Sequence, residues 1–484
     1  MGGTLRILLL TAPRPRPDYT PLHFGDNRAP QGLGFLAAYL ANHGHECKIV
    51  DLYAFSWKFR GTRTAVESPW RKKQDLSGLN LARTMQGDLT TLEGDSRGGM
   101  HQNNSDGTMQ LGTDLDQVIR EFQPDYIGMY IHTMSFDTAV ELSRELKKEY
   151  PHIPQMCGGP HPSVMPETIP ETFDYVVYGE GEYAIREIVE GREKRRLVPG
   201  VQVPQEEMDH LPWPDLDFFW DKPYNWRLKL FGREEIYPTV SLNTSRGCPF
   251  PCKFCGVQEV SGARFRHITA QRIFEHILFL SERYGVRGIY FREDNFTVNP
   301  KRVEELCDLI ISHGLKIQWA CESRVNRLTP QSVEKMAKAG CIGLYIGVES
   351  GSDRILKIME KLETRSDFVE KFPLLHANGI GTYTTWIYGS PGEAPEDRRQ
   401  TESLMETLKP KAIDAFVYLG IPKSDWYHLV DSHKLYEFKD RNGFIYPEGF
   451  LSYARVLYGR SDPRVTYVER IYEENQVKPV QKEW

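Results

Sequence analysis

Cys248, Cys252 and Cys255 lie in Ser245-Arg246-Gly247-Cys248-Pro249-Phe250-Pro251-Cys252-Lys253-Phe254-Cys255, spaced C-x3-C-x2-C. Three thiolates this close together can hold three irons of a [4Fe–4S] cluster and leave the fourth iron open to a small molecule. A structural zinc site and incidental thiols are the alternatives. Structural zinc needs four ligands, and no Cys or His follows before His267. The alternating run Thr239-Val240-Ser241-Leu242-Asn243 predicts a strand just upstream, with the cysteines in the loop after it.

Other polar residues fall where further strands end. The pattern predicts helices over 269–284, 300–313 and 330–339, and strands Gly288–Phe291, Lys316–Ala320, Gly343–Gly347, Gly381–Tyr388 and Ala412–Tyr418. With the strand before the cysteines this makes six units, a partial (β/α)6 barrel over 239–435, whose reactive groups belong at the carboxyl ends of the strands. Those ends read Arg292-Glu293-Asp294-Asn295, Cys321-Glu322-Ser323-Arg324, Val348-Glu349-Ser350-Gly351-Ser352 and Gly389-Ser390-Pro391-Gly392-Glu393. For Glu293, Asp294 and Glu349 the plainer reading is surface charge. For Arg324 it is a structural salt bridge, for Phe254 simple packing, and for Cys321 a buried thiol.

Residues 1–197 read as an α/β, doubly wound (Rossmann-like) domain. Five strands, near Arg6–Pro13, Cys47–Leu52, Asp125–Ile131, Gln155–Gly159 and Asp174–Tyr178, alternate with helices. Ligands bind such sheets at the carboxyl ends of the strands. The loops there contain Thr133 and Ser135; Gly158, Gly159 and His161; and Gly179 and Glu180. A polar stretch, 56–112, interrupts the pattern as an insertion. Residues 198–238 carry Pro199, Pro204, Pro212, Pro214, Pro223 and Pro238 and read as a linker. Residues 436–484 form an aromatic-rich C-terminal cap and polar tail.

The chain has 484 residues, 26% charged and 40% hydrophobic, with net charge −6, so no global basic field recruits nucleic acid. No apolar run approaches a membrane span, and the start lacks signal-peptide organisation. The five scattered cysteines read as reduced core thiols, and the expected location is cytoplasmic.

The three-cysteine motif, the acidic pair after the second barrel strand, Gly-Val-Glu-Ser-Gly-Ser after the fourth and Gly-Ser-Pro-Gly-Glu after the fifth together resemble the radical S-adenosylmethionine (SAM) superfamily. The Gly-Gly-Pro-His and Gly-Glu-Gly-Glu segments upstream resemble the cobalamin-binding domain of many of its members. The resemblance covers roughly residues 5–435. It implies a [4Fe–4S] cluster on Cys248, Cys252 and Cys255, SAM on the open iron, and cobalamin. It assigns Glu293 or Asp294 to the methionyl amino group, Arg324 to its carboxylate, Glu349 and Ser350 to the ribose, Phe254 to the adenine, and Gly389 to close backbone approach. Thr133, Ser135, Gly158, Gly159, His161, Gly179 and Glu180 would border the cobalamin. The Asp-x-His-x-x-Gly motif that ligates cobalt in other B12 proteins is absent, as in many radical-enzyme members. The family's Pro-Gly-Thr segment near strand six is replaced by Ile421-Pro422-Lys423-Ser424-Asp425.

The activity this implies is cobalamin-dependent methylation of an unactivated carbon, through a 5′-deoxyadenosyl radical and methylcobalamin. An external one-electron donor such as flavodoxin or ferredoxin would serve it, and the substrate would be a small molecule or peptide. The same architecture also serves cyclisation, rearrangement and oxidation. A non-enzymatic sensor would not need the acidic and glycine-rich strand ends.

Overall fold

The computed structural model describes residues 3–13, 28–54, 57–59, 62–64, 113–222, 224, 226, 228, 235–440, 443–460 and 462–480. The chain forms two compact units that part, in the main, between residues 225 and 226.

In the first unit β1 is Arg6–Thr11 and β2 is Glu46–Asp51. A small separate sheet holds β3 (Trp57–Phe59), β4 (Thr62–Thr64) and β5 (Thr113–Asp114) in the order β4-β3-β5. Apart from β3 and β4, the expected insertion over 56–112 lies outside the described residues. The main sheet adds β6 (Tyr126–Tyr130), β7 (Gln155–Gly158), β8 (Tyr175–Tyr178) and β9 (Leu197–Pro199). Its order is β2-β1-β6-β7-β8-β9, parallel throughout.

The apolar run of β1 explains why helices cover both faces. Ile7 and Leu9 join a core with Leu33, Leu40, Ile185 and Ile188. Leu8 and Leu10 point the other way, into a core with Leu115, Ile119, Leu142 and Leu146. A strand buried on both sides reads as a continuous hydrophobic run, as this one does. The sixth strand, β9, was not among the five expected: it is three residues long and ends in proline, which the edge of a sheet tolerates. The strand order reverses at β1, so the carboxyl ends of β1 and β6 flank the topological switch point.

The second unit holds β10 (Thr239–Leu242), a two-residue ladder of β11 (Ser245–Arg246) with β12 (Arg266–His267), and β13 (Gly288–Phe291), β14 (Gln318–Ser323), β15 (Cys341–Glu349), β16 (Gly381–Tyr388) and β17 (Ala412–Val417). Six of these form one parallel sheet in sequential order, β10-β13-β14-β15-β16-β17. That is the connectivity of a partial (β/α)6 barrel, although no pairing of β10 with β17 closes it among the described residues. The returning helices are locally encoded. Thr269, Asn299, Thr329 and Thr364 cap their first turns through side-chain oxygens.

The sheet has one sealed face and one open one. Leu344, Ile346 and Val348 on β15, and Thr382, Thr384, Trp386 and Tyr388 on β16, are buried. Their alternates Tyr345, Gly347, Tyr383, Thr385 and Ile387 are only half-buried. After β17 come β18 (Tyr436–Lys439) and β19 (Ile445–Pro447), then helices Phe450–Tyr458 and Pro463–Glu474. Ile445 exchanges backbone hydrogen bonds with Gly420, and the Tyr453 ring closes over Gly389. The C-terminal segment therefore lies against the loops that follow β16 and β17.

Gly340 opens the turn into β15 at φ +88°, and a Cβ there would stand 2.1 Å from the Ile317 carbonyl oxygen. Gly340→Ala should destabilise the second unit by about 2–4 kcal/mol, from the left-handed backbone and the clash together. A lowered denaturant midpoint at unchanged slope is the expected reading, and an unchanged midpoint would refute it.

Candidate active site

The cysteine loop follows β11 and is pinned along its length. Gly247 turns at φ +79°, where a Cβ would strike the Arg264 and Gly262 carbonyl oxygens at 2.4 and 2.8 Å. The Cys248 amide donates to Gly262 O, and Cys255 N–H to Cys252 O. Lys253 N–H donates to Met359 O, and Trp426 N–H donates to Lys253 O, so the loop is held by segments after β15 and β17. The Gln258 amide donates to the carbonyls of Cys248 and Phe250. All three thiols are free and half-buried. Burial raises the Cys248 thiol and pushes Cys255 up to about 12. Among the described residues no three His, Cys, Asp or Glu side chains converge on one metal ion. In a cluster the three thiolates need not converge on one ion, since each takes its own iron. Of the other cysteines, Cys157, Cys307, Cys321 and Cys341 are buried and Cys47 is half-buried.

The acidic pair after β13 divides its work. Glu293 is buried and faces the chain itself: it accepts from Thr244 N–H at 2.7 Å and from the Thr244 and Ser245 hydroxyls, and it pairs with Arg302 at 3.4 Å. Asp294 is exposed at the end of the strand and accepts from the Gly247 amide. The surrounding protein, then the Glu293 charge, push its carboxyl up to about 6. Asp294 is thus the one of the pair that faces outward beside the cysteines.

Arg324, just past β14, is buried. Its Nη1 donates to Cys252 Sγ at 3.4 Å, its guanidinium lies 4.0 Å over the Phe250 ring, and Nη2 stands 3.2 Å from Glu363. Its Nε and Nη2 have no hydrogen-bond acceptor of acceptable geometry. Glu363 also accepts from the amides of Val325 and Asn326 and lies 3.5 Å from Lys361. Glu349, at φ +68°, folds back beside Gly347 and receives Thr385 Oγ1 at 3.4 Å. Burial raises its carboxyl, opposed by Lys361. The sequence reading missed Lys361 and Glu363. They follow Glu360 and flank Leu362, both in the left-handed region, in a link with no periodic pattern to single them out.

The remaining predicted residues surround this core. Ser350 Oγ shares Thr401 Oγ1 at 3.3 Å, and Gly351 sits so close to Gln400 and Thr401 that a Cβ would overlap them. Phe254 packs near Trp426 with Met359 and Ile355. Gly389, at φ +71°, gives its N–H to Glu393 at 2.7 Å.

In the first unit the strand-end loops are tied to one another. Ser163 Oγ donates to Gly159 O and accepts from Gly179 N–H, joining the ends of β7 and β8. Gly159, at φ +109°, has the Ile131 carbonyl and Tyr130 ring 2.9 Å from where a Cβ would be. The His161 nitrogens meet Thr133 and Thr168, its ring stacks on Phe136, and burial lowers it to about 4. Glu180 accepts from Val203 N–H, and Ser135 is buried with its hydroxyl on His132 O. Of the seven residues, the glycines and Thr133 border the loops with exposed or half-exposed atoms, while His161, Glu180 and Ser135 turn to the chain.

Comparison with known proteins bears on both units. Residues 97–189 match the B12 binding domain, and residues 242–405 match the radical SAM superfamily. The chain carries a B12-binding domain followed by a radical SAM domain. A radical SAM domain implies SAM and a [4Fe–4S] cluster, and a B12-binding domain implies cobalamin. An uncharacterized methyltransferase of Pyrococcus horikoshii is 29% identical, over 62% of this chain and 68% of its own. The anaerobic magnesium-protoporphyrin IX monomethyl ester cyclase of Cereibacter sphaeroides is 25% identical, over 69% of this chain and 57% of its own. The structure of the cobalamin-dependent radical enzyme OxsB superposes with a TM-score of 0.65 at 15% identity, over 92% of this chain and 64% of its own. The chain thus spans less than two thirds of the cyclase and of OxsB. Among the described residues no helix is long and apolar enough to cross a membrane.

The residues fit these groups. Three half-buried thiols stand beside a buried guanidinium whose Nε has no acceptor, which the carboxylate of an amino acid would supply. In the first unit, glycines at the ends of β7 and β8 leave the backbone bare for close approach.

Two predictions follow from the buried carboxyls. Glu293→Gln leaves Arg302 buried without its counter-charge, so stability should fall by about 3–5 kcal/mol, with reduced iron incorporation. Denaturation curves and iron assays check both. Glu393 is pushed by burial from 4.5 up to about 7, opposed by the Gly389 amide and Arg398. A carboxyl that binds its proton more tightly when folded stabilises the fold most below 4.5 and loses that contribution as pH rises to about 7. Relative to Glu393→Gln, the native protein should lose at most about 3 kcal/mol over that window. Denaturation at stepped pH measures it, and parallel curves would refute it.

Proposed function

We propose that the protein is a cobalamin-dependent radical SAM methyltransferase acting on an unactivated carbon. The observation that carries the reading is the pairing of Asp294 and Arg324 on the cysteine loop: an outward carboxyl against Gly247, and buried guanidinium donors against Cys252. An α-amino group and an α-carboxylate are the complements of that pair. When bound, the cluster supplies the electron that cleaves SAM to methionine and a 5′-deoxyadenosyl radical, and cobalamin carries the methyl group.

This chain's residues hold and orient. Cys248, Cys252 and Cys255 bind the cluster. Asp294 accepts from the methionyl amino group, with Glu293 fixing its backbone, and Arg324 meets the carboxylate. Glu349 and Ser350 approach the ribose, Phe254 the adenine, and Gly389 admits the backbone. At the ends of β6, β7 and β8, Thr133, Ser135, Gly158, Gly159, His161, Gly179 and Glu180 shape the cobalamin surface, Ser135, His161 and Glu180 by setting loop conformation. A flavodoxin or ferredoxin would deliver the electron.

Methyl transfer is supported by the B12-binding domain and by the methyltransferase relative. The second reading, cyclisation, rearrangement or oxidation without net methyl transfer, is supported by the cyclase relative.

Anaerobic reconstitution with iron, sulfide, hydroxocobalamin and SAM tests the proposal. Dithionite should release 5′-deoxyadenosine from the native protein, and Cys255→Ala should abolish it. The protein should also retain corrinoid absorbance after desalting. A reconstituted protein that cleaves SAM but holds no corrinoid would remove the methyltransferase reading while leaving the radical enzyme.

A further inference from the structure

Arg324 is clamped more firmly than contact with a substrate carboxylate requires. From one side the Phe250 ring, itself part of the cysteine loop, lies 4.0 Å from its guanidinium carbon. From another, Glu363 stands 3.2 Å from Nη2. The same carboxylate takes the amides of Val325 and Asn326 at 2.7 and 3.2 Å, so it fixes the backbone that follows the arginine as well as its side chain. Held in this way, Nη1 is directed at Cys252 Sγ at 3.4 Å. Lys361 stands 3.5 Å from the same Glu363 oxygen that faces Arg324, so that carboxylate is shared between two cations and does not cancel the Arg324 charge alone. The side chains of Arg324, Lys361 and Glu363 are at most 6% exposed, and water screens such charges weakly.

We infer that Arg324 raises the reduction potential of the cluster by donating a hydrogen bond to the Cys252 sulfur, with Glu363 and Phe250 as the residues that position it. The inference rests on Cys252 being a cluster ligand. Reduction adds one electron to the cluster and breaks no bond. A donor on a ligand sulfur withdraws electron density from the thiolate, and a buried cation beside it favours the more negative, reduced state. Hydrogen bonds to cluster sulfurs and local charge are the protein's means of setting this potential. The role is separate from holding a carboxylate: Nη1 faces the sulfur and Nη2 faces Glu363, while Nε has no acceptor.

The test is an EPR-monitored redox titration of the reconstituted full chain without SAM. Iron content and the reduced-cluster signal of the native protein come first, and their absence would overturn the cluster assignment itself. With the cluster present, Arg324→Gln should move the midpoint to more negative potential, and Arg324→Lys, which keeps a charge but not the planar fork, should move it less. Iron-replete variants with unshifted midpoints would overturn the inference. Weakened SAM binding at an unshifted midpoint would overturn it too, assigning Arg324 to the carboxylate alone. Should neither variant retain iron, native protein labelled with 15N-guanidino arginine decides. Pulsed EPR of its reduced cluster should show a weak 15N coupling, and the lack of one refutes the hydrogen bond.

Discussion

The cysteine loop depends on one buried carboxylate. Glu293, at the end of β13, gathers the amide and hydroxyl of Thr244, the hydroxyl of Ser245 and the guanidinium of Arg302. Burying a charge costs several kcal/mol unless its lone pairs are filled, and here donors from β10's exit, from the first residue of β11 and from the helix Pro300–Ser312 fill them. Arg302 returns a further bond to the Thr244 carbonyl. The strand end, the root of the loop and the next helix are thereby fixed by a single side chain. Because successive residues leave a strand on opposite sides, locking Glu293 inward presents Asp294 outward.

The same device recurs among the loops of the second unit. Glu363 collects the amides after β14 together with Arg324 and Lys361. Asp397 collects Ser352 Oγ, the guanidinium of Arg354 and the amide of Ala394, tying the loop after β15 to the loop after β16. In each case a buried acid gathers donors from a neighbouring loop. Loops on a sheet edge have amides with no ladder partner, and carboxylates satisfy several at once. The polar residues at the strand ends therefore include both the chemistry and its scaffold.

That mixture marks what the sequence could reveal. Sequence pattern located β13 and β16 at their observed bounds, β13 as a short run buried throughout and β16 with alternate residues buried. It ended β15 early at Gly347, because the Glu349 that extends the strand is polar and in left-handed backbone. Motif spacing found the cysteines and the four acidic or glycine-rich loops. It could not separate Glu293 from Asp294, whose roles depend on which side of the strand each leaves. Nor could it see Lys361 and Glu363, which reach Arg324 only through tertiary contact. His161 looked available in its glycine-rich loop, yet its neighbours Thr133 and Thr168 come from either side of it in the chain and close on both ring nitrogens.

The two units consequently offer different kinds of recognition. In the first, the side chains of His161, Glu180 and Ser135 are taken up by the chain, and Gly159 and Gly179 leave bare backbone between them. Bare backbone recognises by close approach and area, which suits a large, flat group and discriminates little by charge. In the second, Asp294 faces out and Arg324 keeps its Nε without an acceptor beside fixed carboxylates. Such a site recognises by charge and direction, which suits a small zwitterion beside the thiols. A mutation in the first unit should then act through shape, since among the described residues no buried ion pair there involves the strand-end loops. In the second, changing one charge alters every neighbour that Glu293 or Glu363 holds.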